Sequence, residues 1–138
     1  MEQVAERLKE KFTKEYTSKF DIDLKFGEEA EYSLANILSL GKVEVKTERD
    51  IWKRTGNIVI ELKSRGKYSG LSVTEAEWWA HILSYKGVKE GVILIPVNLL
   101  KKRVKQLVKE GKATLTVGGD DNTSEIVLIP IKEIHGVF

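Results

Sequence analysis

The chain contains no cysteine, only two prolines and no long hydrophobic run. The absence of cysteine excludes a disulfide scaffold, a thiolate zinc site and a thiol nucleophile, and it fits a reducing compartment such as the cytoplasm. No stretch approaches the roughly 18 apolar residues that a membrane-spanning helix needs, so we expect a protein that does not cross a membrane. The scarcity of proline and the lack of low-complexity sequence argue against a linker.

An excess of charge of one sign is also missing. The 23 Lys and Arg residues nearly balance the 21 Asp and Glu residues, so the net charge is only +2. A nucleic-acid partner can therefore be inferred only from local clusters of basic residues. The composition, 41% hydrophobic and 32% charged, is typical of a globular protein. We expect one domain over residues 1–138, because two separate cores in a chain of this length would each be marginal.

Hydrophobic periodicity predicts an α/β (α+β) fold in which helices flank a central mixed β-sheet. The first 40 residues suggest two helices, one ending near Tyr16 and one following Gly27, with Phe20–Phe26 as a strand or an extended linker. A capping box at Thr74–Glu77 predicts a helix through Trp78, Trp79, Ile82 and Leu83. The remaining predictions are a buried central strand at Gly91–Val97, a basic helix from Asn98 to Glu110, and strands at Ala113–Val117 and Ile126–Ile131.

Two segments, Val43–Glu48 and Ile58–Lys63, alternate strictly between apolar and polar residues. The turn signal at Thr55–Asn57 between them predicts a long-looped β-hairpin. If its apolar residues face inward, the hairpin presents one charged surface, consisting of Glu44, Lys46, Glu48, Glu61 and Lys63. A solvated sheet face with cross-strand Glu–Lys pairs is the simpler interpretation of this surface.

The pattern Glu-x-Lys occurs twice, at Glu44–Lys46 and at Glu61–Lys63. Metal-assisted phosphodiester cleavage needs carboxylates that hold a divalent cation and a nearby lysine that orients or deprotonates the attacking water. Hard carboxylate oxygens suit Mg²⁺ or Mn²⁺. Because Glu-x-Lys is common in a chain rich in both residues, its surroundings must decide between chemistry and simple ion pairs.

Those surroundings resemble the PD-(D/E)XK nucleases, including archaeal Holliday-junction resolvases and, more closely, small phage and viral members. The resemblance covers about Gly27 to Trp79. It rests on four motifs in order, which are Gly27-x-x-x-Glu31, Glu44-Val45-Lys46-Thr47-Glu48, Thr55-Gly56-Asn57 leading to Glu61, and Ser69-Gly70 leading to Thr74-x-Ala76-Glu77-Trp78. Two features depart from the family: Glu48 stands where an aspartate is usual, and the upstream motif aspartate has no counterpart between Leu40 and Val43.

The resemblance implies a restriction-endonuclease-like fold and a Mg²⁺-dependent endodeoxyribonuclease acting on duplex or branched DNA. It further implies a homodimer in the cytoplasm, or in the host cytoplasm if the chain is viral. The implied metal ligands are Glu44, Glu48 and Glu61, and the implied catalytic residues are Lys46, Lys63 and Glu31. Which Glu-x-Lys is the working motif stays open. Asp50, eleven residues before Glu61, is a further acidic candidate, which we rank below Glu48.

Basic residues after the second motif are candidates for phosphate binding. They are Arg65 and Lys67 in the following loop, and Lys101, Lys102, Arg103 and Lys105 on the basic helix. An amphipathic surface helix gives the same pattern without any ligand. Core burial of at least one of Trp78 and Trp79 is favoured over stacking on bases, and His81 and His135 receive no role. The alternative function is a non-catalytic nucleic-acid-binding or assembly protein that retains the nuclease fold.

Overall fold

The structure, a computed structural model, describes residues 2–39 and 42–134, including the side chains of 3–7, 25–39 and 42–134. The chain divides into two units, Met1–Gly41 and Lys42–Phe138, and the expectation of a single domain stays a prediction. The first unit is one helix, α1 (Glu2–Ser39). Although α1 has 38 residues, neither it nor any other helix in the described ranges is apolar enough to cross a membrane.

The prediction of an extended segment at Phe20–Phe26 is wrong, because α1 runs through it without a break. An alternation of seven residues is too short to outweigh the helical spacing on both sides. Gly27, the predicted start of a second helix, lies inside α1, where a glycine costs only about 1 kcal/mol.

The second unit mixes strands and helices, which confirms the α+β class. Its elements are β1 (Val43–Arg49), α2 (Ile51–Thr55), β2 (Asn57–Ser64), β3 (Lys67–Tyr68), β4 (Trp78–Tyr85), β5 (Val88–Pro96), α3 (Val97–Lys109), β6 (Thr114–Gly118), β7 (Ser124–Pro130) and α4 (Ile131–Ile134). Single 3₁₀ turns occupy Gly70–Ser72 and Asp120–Asn122. The predicted basic helix and the last two predicted strands are confirmed as α3, β6 and β7.

The strands form two sheets instead of one. The first sheet is mixed and has the order β1-β4-β5, with β1 parallel and β5 antiparallel to β4. The second is antiparallel throughout, in the order β3-β2-β7-β6. The predicted hairpin is therefore wrong, since β1 and β2 lie in different sheets. The segment between them is not a hairpin loop but carries the short helix α2, and each strand finds its partner further along the chain.

The predicted helix at Trp78–Leu83 is also wrong, because these residues form β4, the central strand of the first sheet. Tertiary pairing on both sides overrides a pattern that fits a helix in isolation, and tryptophan and isoleucine favour strands. The apolar run Gly91–Val97 contributes to β5, which is an edge strand and not the predicted central one. Val92 on this strand is 60% exposed.

Helix α3 joins the two sheets. Its buried residues recur every three or four positions, as Val97, Leu100, Val104 and Leu107, which is the spacing of one helical face. The helix contacts β4 and β5 of the first sheet and β7 of the second. The core therefore lies where the two sheets and α3 meet, and the charged residues of β1 and β2 are positioned around it.

Candidate active site

The charged face of β1 lies on the same side of its sheet as two buried residues of β4, although Lys46 on this face is itself exposed. Glu44, Lys46 and Glu48 share one side of the strand, as predicted, and the register aligns Glu44 with Trp79 and Lys46 with His81 on β4. Residues in register project from the same side of a sheet. Trp79 and His81 are almost fully buried, so this side of the sheet faces the core.

The expectation that Val45 packs inward is correspondingly wrong, because its side chain is 55% exposed. The large apolar surface of Trp79 decides which face of the sheet is buried, since a buried aromatic side chain outweighs a valine. The orientation of β1 is therefore set by its pairing with β4 and not by its own alternation of apolar and polar residues.

Three of the predicted site residues meet in a cleft of about 350 Å³. Lys46 and Glu48 line the cleft from β1, and Glu61 lines it from β2. The two sheets therefore bring together charged residues that were expected to meet on the predicted hairpin. His81 of β4 and Ser124 of β7 line the same cleft. A lysine and two carboxylates thus line one open cleft between the strands.

The carboxylate of Glu48 is tied down through one oxygen. Its Oε1 accepts a hydrogen bond from the main-chain N–H of Val59, which links β1 to β2. The same oxygen lies 2.9 Å from Nε2 of His81. The side chain is only 14% exposed, and a charge in such a position needs hydrogen-bond donors of this kind. Among the described residues no hydrogen bond reaches the second oxygen, Oε2.

Glu61 is held in the cleft by neighbours on both sides. The hydroxyl of Ser124 donates to its Oε1 over 2.8 Å. The segment Ser69–Gly70 crosses the strand here, and the N–H of Ser69 donates to the carbonyl of Leu62 over 3.0 Å. Gly70, at φ +52°, lies so close that a Cβ would overlap the main-chain oxygen of Glu61. This explains why a glycine stands in the Ser-Gly motif.

A β-bulge separates Glu61 from Lys63. On β7, Glu61 pairs with Ile126 and Lys63 with Glu125, so two adjacent residues face three. One extra residue reverses the alternation of side chains beyond it. Lys63 accordingly lies on the other face, with Nζ 3.4 Å from Glu125 Oε2 and 4.8 Å from the ring centre of Tyr68. The expectation that Glu61 and Lys63 share a face is wrong.

The other Glu-x-Lys has no such interruption. Lys46 lines the cleft, and its Nζ lies 3.0 Å from Glu44 Oε1. Glu44 itself does not line the cleft. The structure therefore gives Glu44 a partner in Lys46, and it does not bring Glu44 together with Glu48 and Glu61 as the predicted set of three ligands.

Within the described residues no group of three His, Cys, Asp or Glu side chains is close enough to hold a metal ion. The cleft offers two carboxylates, Glu48 and Glu61, and each has one oxygen engaged in the hydrogen bonds above. Mg²⁺ often binds through one or two carboxylates while keeping several waters, so this pair fits a hydrated Mg²⁺ better than a cation that needs a full set of protein ligands.

Glu31 lies on α1 in the first unit, where its side chain is exposed, and its role stays a prediction.

The basic candidates divide into accessible and structural residues. Arg65, at the end of β2, lines a second cleft of about 440 Å³ that shares Glu61 and Ser124 with the first. Lys67, Lys102 and Lys105 are exposed, and Lys101 is half-buried. Arg103 differs, because its guanidinium donates two hydrogen bonds to the carbonyl of Glu133 and is only 14% exposed. The expectation that Arg103 binds phosphate is not supported by these contacts, which tie α3 to α4.

Two residues of the cleft received no role from the sequence. His81 is 1% exposed and bridges Trp79 and Glu48, and Ser124 holds Glu61. Reading Trp78–Tyr85 as a strand places Trp79 and His81 on one face, which is the signal that the helical interpretation hid. His135 lies outside the described residues. Trp79 is 2% exposed, which confirms the expected core burial of one tryptophan.

Comparisons with family models, with curated proteins and with solved structures found no match to this chain.

Proposed function

We propose that the protein is a divalent-metal-dependent endonuclease that hydrolyses phosphodiester bonds of DNA. The observation that carries the proposal is the meeting of Lys46, Glu48 and Glu61 in one cleft. Two separate sheets supply these residues, whereas ordinary surface Glu–Lys pairs need only neighbouring strands. The PD-(D/E)XK resemblance names the same three residues.

Glu48 and Glu61 are the proposed ligands of Mg²⁺ or Mn²⁺. Each carboxylate accepts its hydrogen bonds through Oε1, and we assign the other oxygen to the cation. A bound divalent cation supplies positive charge that stabilises the phosphate in the transition state and favours ionisation of a water. Glu44 is left out of this pair because its carboxylate contacts Lys46.

Lys46 is the proposed residue beside the attacking water. The water attacks phosphorus and loses a proton to solvent, the bond from phosphorus to the leaving oxygen breaks, and that oxygen takes up a proton from solvent. The products are a phosphate end and a hydroxyl end. The ammonium of Lys46 orients the water and adds positive charge next to the phosphate. The ion pair with Glu44 restricts where the long side chain points, although an exposed pair of this kind stabilises the fold by at most about 1 kcal/mol.

DNA is the proposed substrate because an accessible basic residue lies beside the carboxylates. That residue is Arg65, whose cleft adjoins the one that holds Glu61. A guanidinium there can hold a phosphate through two hydrogen bonds. Lys102 and Lys105 on α3 are exposed and add positive charge that would attract a polyanion.

The test is cleavage of labelled linear duplex, nicked, flap and four-way-junction DNA in Mg²⁺, in Mn²⁺ and in EDTA. We expect cleavage of at least one substrate in the presence of the cation and none in EDTA. Binding of these DNAs without cleavage in either cation would favour the alternative, a non-catalytic nucleic-acid-binding protein. A chain that neither binds nor cuts any of them would overturn the proposal.

A further inference from the structure

His81 is the most completely buried polar side chain next to the cleft, at 1% exposure. It lies on β4 in register with Lys46 and lines the cleft that holds Glu48 and Glu61. A buried imidazole needs a partner for each ring nitrogen. Both partners are present, and together they define what the residue does.

The first partner fixes which ring nitrogen carries the proton. The indole Nε1–H of Trp79 can only donate, and it lies 3.1 Å from Nδ1 of His81. Nδ1 is therefore the acceptor, and the imidazole proton is on Nε2. The two ring planes are nearly parallel, at 17°.

The second partner receives that proton. Nε2–H of His81 points at Oε1 of Glu48 over 2.9 Å, and the main-chain N–H of Val59 donates to the same oxygen. Two donors on one oxygen set the rotation of the carboxylate. The other oxygen, Oε2, is then the one that remains for a ligand in the cleft.

We propose that His81 is a positioning residue that orients Glu48 for a divalent cation, with Trp79 fixing its tautomer. The inference rests on the proposed function, in which Glu48 is a cation ligand. His81 does not itself contact the cation in this arrangement, since Nε2 donates to Glu48 and Nδ1 accepts from Trp79. Partners of metal ligands commonly change metal affinity by about 10- to 100-fold when they are removed.

The experiment measures Mn²⁺ affinity by calorimetry for the whole chain, without DNA. His81→Leu removes the donor to Glu48 and should weaken Mn²⁺ binding by about 10- to 100-fold. His81→Gln keeps an N–H donor at a similar reach and should bind Mn²⁺ nearly as well as the wild type. Trp79→Phe keeps an aromatic ring but releases the imidazole, and it should give an intermediate loss.

Coupling to Glu48 separates positioning from a general effect on the fold. In a Glu48→Gln background the further change His81→Leu should cost little additional affinity, because the group that His81 orients is already lost. Nitrogen NMR of the wild type should show the His81 proton on Nε2. A proton on Nδ1, or equal losses from His81→Leu with and without Glu48, would overturn the inference.

The outcomes also separate this inference from the proposed function. If the wild type binds Mn²⁺ and His81→Leu binds it equally well, the positioning role is wrong and the proposed cation site stands. If the wild type itself binds no divalent cation, the proposed function fails and the role of His81 fails with it. If His81→Leu does not fold, the comparison of the wild type with His81→Gln and Trp79→Phe decides the question.

Discussion

The two Glu-x-Lys motifs are identical in sequence pattern and different in geometry. On β1 the strand is regular, so Glu44 and Lys46 project from the same side and form an ion pair at the cleft. On β2 the bulge after Glu61 turns Lys63 to the opposite face, where it contacts Glu125. The two charged residues of a Glu-x-Lys motif therefore share a face only if the backbone between them keeps the alternation.

The comparison also suggests that the working site is composite. The carboxylate comes from the interrupted motif, as Glu61, and the lysine comes from the regular motif, as Lys46. Glu48 completes the cleft and connects the two strands through the N–H of Val59. Four predictions test this division of roles, beginning with the one that should have the largest effect.

Glu61→Gln should lower the rate of Mg²⁺-dependent cleavage by more than about 10²-fold, because Glu61 is a proposed direct ligand and the loss of a mere partner of a metal ligand already costs about 10- to 100-fold. The amide keeps the size and can still accept from Ser124, so the unfolding free energy should change little. Glu125→Gln is the matched control, because Glu125 neighbours the bulge on β7 but contacts Lys63 on the other face. Equal activity of the two variants would remove Glu61 from the site.

Lys46→Ala should reduce cleavage at saturating Mg²⁺ by about 10²-fold, the loss typical when one positioned hydrogen-bond donor is removed from an active site. Lys63→Ala should have a much smaller effect, since Lys63 lies on the face away from the cleft. Both variants should still bind DNA, because one lysine is a small part of the basic surface. The reverse result, with Lys63→Ala inactive and Lys46→Ala active, would make Glu61–Lys63 the working motif.

The sequence predicted much of this site and little of the pairing that builds it. Alternation in β1 correctly placed Glu44, Lys46 and Glu48 on one side, because that property is local. It could not reveal which residues that side meets, since Trp79, the register partner of Glu44, lies 35 residues later in the chain. The bulge after Glu61 and the partner of each strand are likewise non-local. The prediction of α3 was correct, because the spacing of its four buried residues along one helical face is a local property of the sequence.

Gly70→Ala tests the close approach that holds the interrupted motif. The added Cβ would overlap the main-chain oxygen of Glu61, and the positive φ adds strain. Gly66→Ala is the matched control, because Gly66 also has a positive φ, +79°, but has open space around it. Backbone strain alone should cost each variant about 1–2 kcal/mol in urea unfolding, and the overlap should cost Gly70→Ala about 1–3 kcal/mol more.

Cleavage should follow the same order, with roughly a tenfold loss in Gly70→Ala at a temperature where both variants are folded, because small displacements of a catalytic group are costly. Indistinguishable stability and activity in the two variants would mean that the Ser69–Gly70 segment does not hold Glu61 in place.

Arg65→Ala tests whether the residue that follows β2, after the β-bulge, contributes to DNA binding. Arg65 lines the cleft next to Glu61, whereas Lys63 lies on the opposite face. If Arg65 holds a phosphate, its removal should weaken DNA binding in Ca²⁺ and reduce the slope of log affinity against log salt concentration by about 0.9. Lys63→Ala should leave the slope unchanged, although both changes remove one positive charge from the same end of β2.

Arg103→Ala is a second control with the opposite signature. It should keep the slope and lower the unfolding free energy, because the hydrogen bonds of Arg103 join α3 to α4. Equal reductions of the slope in Arg65→Ala and Lys63→Ala would show that DNA responds only to the total charge near β2. The β-bulge would then have no part in directing bound DNA towards Glu61.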